Sequence, residues 1–278
     1  MPRPSQSTRS ERVASVGVRL FSAAVLLFLV APILVVIPLS FNDSAYFSYP
    51  MSGFSLRWYH SLVASEDWRR AFMNSFIIGI SSTILATALG TLAALGLSRT
   101  AFPFRSIVMP LLISPMIIPI VVVAVGLYLV FAPFGLTSSY LGVILAHTAL
   151  ATPFVVIIVT ATLMSFDRNL TRAAASLGAP PLTVFRRVTL PLILPGVATG
   201  SVFAFTTSFD EVIVILFIGG VQQKTIPRQM WTGIRDQINP SILAAATLLT
   251  CFAIASFLVI DWLRGRSIAA AAVAAPAE

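Results

Sequence analysis

Long apolar blocks, separated by polar segments, organise the whole chain. Each of six blocks is long enough for a helix to cross a bilayer, which takes about 20 mainly apolar residues. The blocks cover residues 20–41, 72–97, 107–131, 140–164, 192–218 and 242–263. The pattern predicts an all-α integral membrane protein with six transmembrane helices.

The composition agrees with a bilayer as the solvent. Of the 278 residues, 57% are hydrophobic and only 10% are charged, and the mean hydropathy is +0.93. A soluble domain has about 25% charged residues, and so few charges could not cover the surface of a soluble fold. The composition excludes a water-soluble globular protein and a disordered one. The single Cys excludes a disulfide framework.

The basic residues carry an orientation signal. The net charge is +8, but Lys and Arg are scattered near the ends of the apolar blocks, which disfavours a nucleic-acid-binding role. With the N-terminus in the cytoplasm, twelve of the 18 Lys and Arg residues fall in cytoplasmic segments and six in external ones. Both termini are therefore expected to be cytoplasmic.

The predicted domain organisation is one membrane unit with two tails. A cytoplasmic tail (1–19) precedes the first transmembrane helix (20–41), whose apolar stretch is too long for a cleaved signal peptide. Residues 72–263 form a core of five transmembrane helices that includes a cytoplasmic loop at 165–191. A second cytoplasmic tail covers residues 264–278.

Groups that could perform catalysis are scarce. His60 and His147 are the only histidines, lie far apart in the sequence and fit no metal-binding pattern. We therefore expect no metal site, no cofactor and no enzyme activity in this chain. If ATP powers the protein, a separate ATPase chain binds it.

The cytoplasmic loop at 165–191 predicts two short helices at a sharp angle. Asn169 or Thr171 can cap the first helix, and the alanines that follow favour a helical backbone. Gly178 suits the left-handed residue that ends this helix. Pro181 suits the first turn of the second helix.

The end of this loop and its role complete the local prediction. Pro191 is expected to end the second helix at the turn into the fifth block. The residues alone leave two interpretations open. The loop is either a docking surface, since its small residues let another backbone approach closely, or an amphipathic segment resting on lipid headgroups.

Two adjacent carboxylates, Asp210 and Glu211, interrupt the fifth block after Thr206, Thr207 and Ser208. A charged residue at the bilayer centre costs about 2.5–3.5 kcal/mol, but a rise of about 1.5 Å per residue puts Asp210 in the outer half of the membrane. In a continuous helix, Asp210 shares a face with Thr206 and Thr207, and Glu211 with Thr207 and Ser208. This polar stripe is expected to be a transient site for a cationic solute, such as a polyamine. The alternatives are a structural pair with Arg or polar groups of a partner subunit, or simple exposure at the outer membrane interface.

Prolines and aromatic residues each admit two interpretations. Pro110, Pro115 and Pro119 in the third block indicate either bends accommodated by neighbouring helices or a flexible wall of a pathway. Aromatic residues such as Trp58 and Trp231 in the external loops are typical of an interfacial belt. A solute-binding role is the alternative, and Trp231 is the candidate for it.

The cytoplasmic loop resembles the EAA loop of ABC importer permeases, in the spacing Ala-Ala-x-x-x-Gly, then nine residues, then Val-x-Leu-Pro. Arg172 departs from the family's usual Glu, and Val188 from its usual Ile. The resemblance implies that the helix 172–177 docks in a groove of the ATPase, whose closure rocks the spans between inward- and outward-facing states. The implied coupling residues are Arg172, Ala173, Ala174, Leu177, Gly178, Val188, Leu190 and Pro191.

A second set of motifs is similar to the second permease subunit of spermidine/putrescine importers. These motifs are Ser208-Phe209-Asp210-Glu211-Val212, Thr225-Ile226-Pro227-x-x-Met230-Trp231 and Ile238-Asn239-Pro240. The implied substrate-pathway residues are Thr207, Ser208, Asp210, Glu211 and Trp231.

The resemblance also implies an assembly in the bacterial inner membrane. Its parts are a second homologous permease, two ATPase subunits that bind ATP and Mg, an external solute-binding protein, and membrane lipid. Two other functions are weighed against this one. An ion-driven secondary transporter would use Asp210 and Glu211 as ion sites but leaves the spacing from Arg172 to Pro191 unexplained. A membrane scaffold explains neither feature.

Overall fold

The computed structural model describes residues 9–98, 102–165, 167–236 and 239–274. Side chains are described in these ranges except at residues 9–14, 168, 236 and 263–274. Parts of the two predicted tails (1–8 and 275–278), and Ile238 of the third motif, lie outside the described residues.

The described chain is helical, with an isolated β-bridge between Asn42 and Phe54. A 3₁₀ turn (Ala132–Phe134) and a π-helical turn (Phe185–Thr189) adjoin the α-helices. In chain order the α-helices are α1 (Arg9–Leu39), α2 (Arg57–Ala64), α3 (Glu66–Leu97), α4 (Arg105–Ile117), α5 (Ile120–Phe131), α6 (Tyr140–Met164), α7 (Arg168–Ser176), α8 (Pro181–Val184), α9 (Leu190–Phe209), α10 (Ile213–Ile218), α11 (Ile226–Asp236) and α12 (Ser241–Ala274).

Five helical segments within the described ranges are long and apolar enough to cross a membrane. They are Ser15–Leu39, Glu66–Leu97, Tyr140–Met164, Pro181–Phe209 and Ser241–Trp262. The pair α4 and α5 passes the same test together but is bent by 108°. The count of candidate spans is therefore five, or six if the bent pair is one span.

The third apolar block is not one straight helix, so the prediction of a single helix over residues 107–131 is wrong. α4 ends at Ile117 because Ile118 precedes Pro119 and takes an extended backbone, with φ −71° and ψ 137°. Pro110 and Pro115 lie inside α4 without ending it. Of the three prolines, Pro119 is the one that redirects the chain.

α3 and α6 run parallel to each other. Contacts between them advance in the same direction along both helices, since the Tyr140 hydroxyl donates to the Asn74 Oδ1 at 2.8 Å and Gly90 lies against Val155. α9 runs antiparallel to both, because its residue Gly200 lies against Val155 and Ser208, eight residues further on, meets His147. These three helices pack together at the centre of the fold. In contrast, none of residues 15–39 of α1 is buried.

Close helix packing makes Gly90 intolerant of a side chain, and we expect Gly90→Val to destabilise the fold. A Cβ on Gly90 would lie 2.7 Å from the Cβ of Val155 and 3.3 Å from the backbone oxygen of Thr152. Overpacking of this kind costs about 1–3 kcal/mol, so the melting temperature in detergent should fall by several degrees. Gly96→Val in the same helix is the control, because a Cβ there meets nothing within 4 Å. Equal melting temperatures for the two variants would contradict this account.

Candidate functional site

The loop at residues 165–191 begins with a capped helix. The Asp167 carboxylate accepts a hydrogen bond from the backbone N–H of Asn169 at 2.9 Å, and α7 starts at the next residue, Arg168. The prediction that Asn169 or Thr171 caps this helix is therefore wrong. Asp167 has an extended backbone, and its negative charge complements the positive end of the helix.

The end of α7 is built around Gly178, whose φ is +80°. The Gly178 N–H donates to the Ala175 carbonyl at 3.0 Å, and the Ala179 N–H donates to the Ala174 carbonyl at 3.2 Å. These two bonds form a Schellman motif. The prediction of a left-handed residue at Gly178 is confirmed. A Cβ at Gly178 would meet nothing within 4 Å, so the backbone conformation, rather than space, favours glycine here.

The second short helix of the loop, α8, is continuous with the fifth span. Pro181 occupies its first turn, as predicted. The prediction that Pro191 ends this helix is wrong, because α8 passes through the π-helical turn Phe185–Thr189 into α9, and Pro191 lies near the start of α9. Pro191 has no backbone N–H and cannot donate an α-helical hydrogen bond. The preceding π-helical turn already departs from the α-helical bonding pattern, so it accommodates this missing donor.

Several predicted coupling residues form an exposed surface. Arg172, Ala173, Leu177 and Gly178 are exposed, and the Leu177 side chain is 89% exposed. We call these four residues the coupling surface. The other four differ in exposure: Pro191 is exposed, and Ala174, Val188 and Leu190 are half-buried. An apolar cavity of about 460 Å³ lies beneath the loop, lined on the core side by Leu95 and Leu163.

The fifth apolar block is broken where the two carboxylates lie, so the prediction of one continuous helix over residues 192–218 is wrong. α9 ends at Phe209 and α10 begins at Ile213. A Glu211 carboxylate oxygen accepts a hydrogen bond from the Val214 N–H at 2.8 Å and so satisfies a free N–H in the first turn of α10, whose N-cap residue is Val212. The polar stripe deduced from helical periodicity therefore does not continue across this break.

The structure separates the predicted pathway residues by burial. Asp210 is exposed, Thr207 is half-buried, and Trp231 on α11 is 44% exposed. Ser208 and Glu211 are buried, at 4% and 8% exposure. Ser208 and Glu211 therefore contact groups of this chain, and Asp210 is the exposed carboxylate at the break.

His147 is a buried polar residue, bonded to a predicted pathway residue, that sequence reasoning did not single out. It is fully buried in α6, and its Nδ1 lies 2.8 Å from the Ser208 Oγ. Its position within the fourth apolar block was the available signal, because a polar side chain within a span needs a partner. The sequence gives no indication that Ser208, 61 residues away, is that partner.

The segment after α10 is fixed to α3. The Asn74 side-chain amide donates to the backbone carbonyls of Gln222 and Lys224 at 2.7 and 2.8 Å. The Ile226 N–H donates to the Ser75 hydroxyl at 2.9 Å. These bonds hold the start of α11, and hence the helix that carries Trp231, in a defined position.

Residues 86–268 match the family described as "Binding-protein-dependent transport system inner membrane component". The chain belongs to this family. It is a multi-pass membrane protein and a transport permease subunit rather than an enzyme, and the resemblance to ABC importer permeases is confirmed.

Two relatives of this inner membrane component are permeases of Escherichia coli (strain K12). The chain is 32% identical over 229 residues to the spermidine/putrescine transport system permease protein PotC, covering 82% of this chain and 86% of PotC. It is 32% identical over 235 residues to the putrescine transport system permease protein PotI, covering 80% of this chain and 81% of PotI.

Solved structures show the same fold for this inner membrane component. A chain of a bacterial ABC transporter involved in the import of the acidic polysaccharide alginate superposes with a TM-score of 0.74 at 14% identity, covering 94% of this chain and 99% of that one. A chain of the alginate transporter in complex with a pentasaccharide-bound periplasmic protein gives 0.68 at 20% identity, covering 92% and 95%. The fold class is that of ABC importer permeases.

Proposed function

We propose that this inner membrane component is the permease subunit of an ATP-driven importer that moves a polyamine into the cytoplasm. The observation that carries the proposal is the 32% identity, over most of the chain, to permeases of spermidine/putrescine and putrescine systems. Polyamines are cationic, and the exposed carboxylate of Asp210 at the break after α9 supports a cationic solute. Thr207 and Trp231 are further candidates for the pathway.

The coupling surface is the proposed contact with the ATPase. α7 is short, is capped at both ends and carries the exposed Leu177 beside Gly178. An apolar side chain that is 89% exposed fits a groove on another protein. Arg172 stands where the family motif has Glu, so we propose that the ATPase meets this position with an acidic or neutral group.

The parallel arrangement of α3 and α6 supports six crossings. Because both helices run in the same direction, the chain between Leu97 and Tyr140 must return across the membrane, and the bent pair α4–α5 is the segment available for that crossing. We infer that six crossings put both termini on the same side of the membrane, and the excess of Lys and Arg in those segments supports the cytoplasm as that side.

The proposed assembly contains this chain, a second homologous permease, two ATPase subunits that bind ATP and Mg, and an external solute-binding protein. The membrane is the bacterial inner membrane. A chain of six spans encloses half of a pathway, and a second permease completes it. A solved neighbour that is in complex with a periplasmic protein supports the external partner.

The test is the ATPase activity of the complex, purified from native membranes and reconstituted in lipid. We expect solute-binding protein loaded with spermidine or putrescine to stimulate ATP hydrolysis, because closure of the ATPase is coupled to a loaded partner. The control is the same mixture with an uncharged solute. Stimulation by the uncharged solute alone would contradict the polyamine assignment. If no ATPase accompanies the chain, the importer proposal fails and an ion-driven transporter using Asp210 and Glu211 becomes the better account.

A further inference from the structure

A buried polar chain joins three helices next to the break that carries Asp210. The His147 Nδ1 on α6 meets the Ser208 Oγ on α9 at 2.8 Å. The Ser208 Oγ lies 3.4 Å from the Ser82 Oγ on α3, and the Ser82 hydroxyl donates to the Ile78 carbonyl. Side-chain hydrogen bonds therefore connect α6, α9 and α3 inside an apolar core.

The number of hydroxyl protons determines which group donates in each of these hydrogen bonds. Each Ser hydroxyl has one proton. Ser82 donates its proton to Ile78, so Ser208 is the donor toward Ser82, and the Ser208 oxygen accepts from the Nδ1–H of His147. The lone-pair nitrogen of His147 is then Nε2, which is buried and has no hydrogen-bond partner among the described residues.

Burying the His147 Nε2 without a partner in the described part of the chain lowers the stability of the fold, and a side chain that only filled space would not require this. A buried polar atom without a partner costs free energy, whereas an apolar side chain of similar volume would not carry that cost. The surroundings of His147 are otherwise apolar: Val143, Ala146 and Leu150 of the same helix are buried in the hydrophobic core. The histidine therefore points to a role that leucine could not perform, which is to donate a hydrogen bond to Ser208.

Ser208 belongs to the last turn of α9, and the residues on both sides of Asp210 are held in place. The Phe209 ring is 5% exposed and packs 4.4 Å from Phe252 and 5.2 Å from Phe76, centroid to centroid. Glu211, on the other side, accepts a hydrogen bond from the Val214 N–H in the first turn of α10. Asp210 is thus an exposed residue between buried neighbours, and its direction depends on how they are held.

We propose that His147 is a positioning residue for Asp210. Its Nδ1–H bond to Ser208 holds the final turn of α9 against α6 and α3, and the end of that turn directs the Asp210 carboxylate toward the solute. The inference rests on the proposed function, because it requires that Asp210 meets a cationic solute during transport.

The test is a double-mutant cycle on the uptake of labelled spermidine by the reconstituted complex. We expect His147→Leu to lower the initial rate about fivefold to tenfold, and to have no further effect when Asp210→Asn is present. Ser208→Ala should cause the same loss and add nothing to His147→Leu. His147→Asn places an amide N–H where the Nδ1–H lies, so it should recover about half of the wild-type rate or more.

Equal fractional losses from His147→Leu with and without Asp210→Asn would overturn the proposal, because independent sites contribute additively. An Asp210→Asn complex that transports spermidine at the wild-type rate would also overturn it. Melting temperatures in detergent identify variants that fail to fold, and Ser208→Ala then replaces His147→Leu in the cycle. A wild-type complex that transports a different solute would contradict the proposed function instead, and the same cycle would be run with that solute.

Discussion

Gly178→Asp is expected to abolish solute uptake while leaving the chain inserted in the membrane. Gly178 has a φ of +80°, a left-handed conformation that Asp and Asn adopt more readily than other L-residues do, so the added charge is the larger effect of this substitution. Asp also places a negative charge at the negative end of α7 and on the coupling surface. The docking helix would be misdirected and its partner repelled. The measurement is spermidine uptake by the reconstituted complex, beside the amount of inserted chain.

Gly135→Asp is the matched control for this prediction. Gly135 also has a positive φ, +64°, and a Cβ there meets nothing within 4 Å. It precedes α6, whereas the coupling loop follows α6, so the two glycines lie at opposite ends of that helix. Gly135→Asp should therefore carry a similar backbone cost and retain uptake. Gly178→Asn, which is uncharged and tolerates the left-handed conformation, should retain part of it. Normal uptake by a well-inserted Gly178→Asp protein would refute the coupling role.

Asp210→Asn is expected to lower polyamine uptake about tenfold or more, equivalent to at least about 1.4 kcal/mol. The amide keeps the size of the side chain and removes the charge that would pair with an ammonium group of the solute. Stimulation of the ATPase by loaded binding protein should persist, because the coupling surface is unchanged. The measurement is the ratio of spermidine imported to ATP hydrolysed.

Asp261→Asn is the control for Asp210→Asn. Asp261 is another exposed carboxylate, and it lies on α12 rather than at the break. Its substitution should leave the transport ratio unchanged. An equal fall in both variants would show that general surface charge, and not a site at Asp210, determines the rate.

Local features of the chain were predictable because they depend on a few neighbouring residues. Gly178 ends α7 and Pro181 starts α8 by their own backbone preferences. Pro191 was misjudged because a π-helical turn, which its local sequence does not indicate, carries the helix past it. The long apolar blocks were visible for the same reason, since hydrophobicity along one segment is sufficient to find a span.

Features that depend on distant contacts were not predictable in this way. Helical periodicity placed Ser208 and Glu211 on a solute-facing stripe, although the tertiary fold buries both side chains. The partnership of His147 with Ser208 joins separate apolar blocks. A single sequence shows which polar residues need partners, but the packing of α3, α6 and α9 determines which partners they meet.

The continuity of α8 with α9 has a mechanical consequence. Residues Pro181–Phe209 form one candidate span of 29 residues, a rod about 43 Å long at about 1.5 Å per residue. Its lower end is the coupling loop and its upper end immediately precedes Asp210. A lever of that length, tilted by about 5° at the ATPase, would displace the carboxylate by about 4 Å. The same helix would transmit the movement of the ATPase and position the Asp210 carboxylate. Closure of the ATPase and release of the solute would therefore be a single movement.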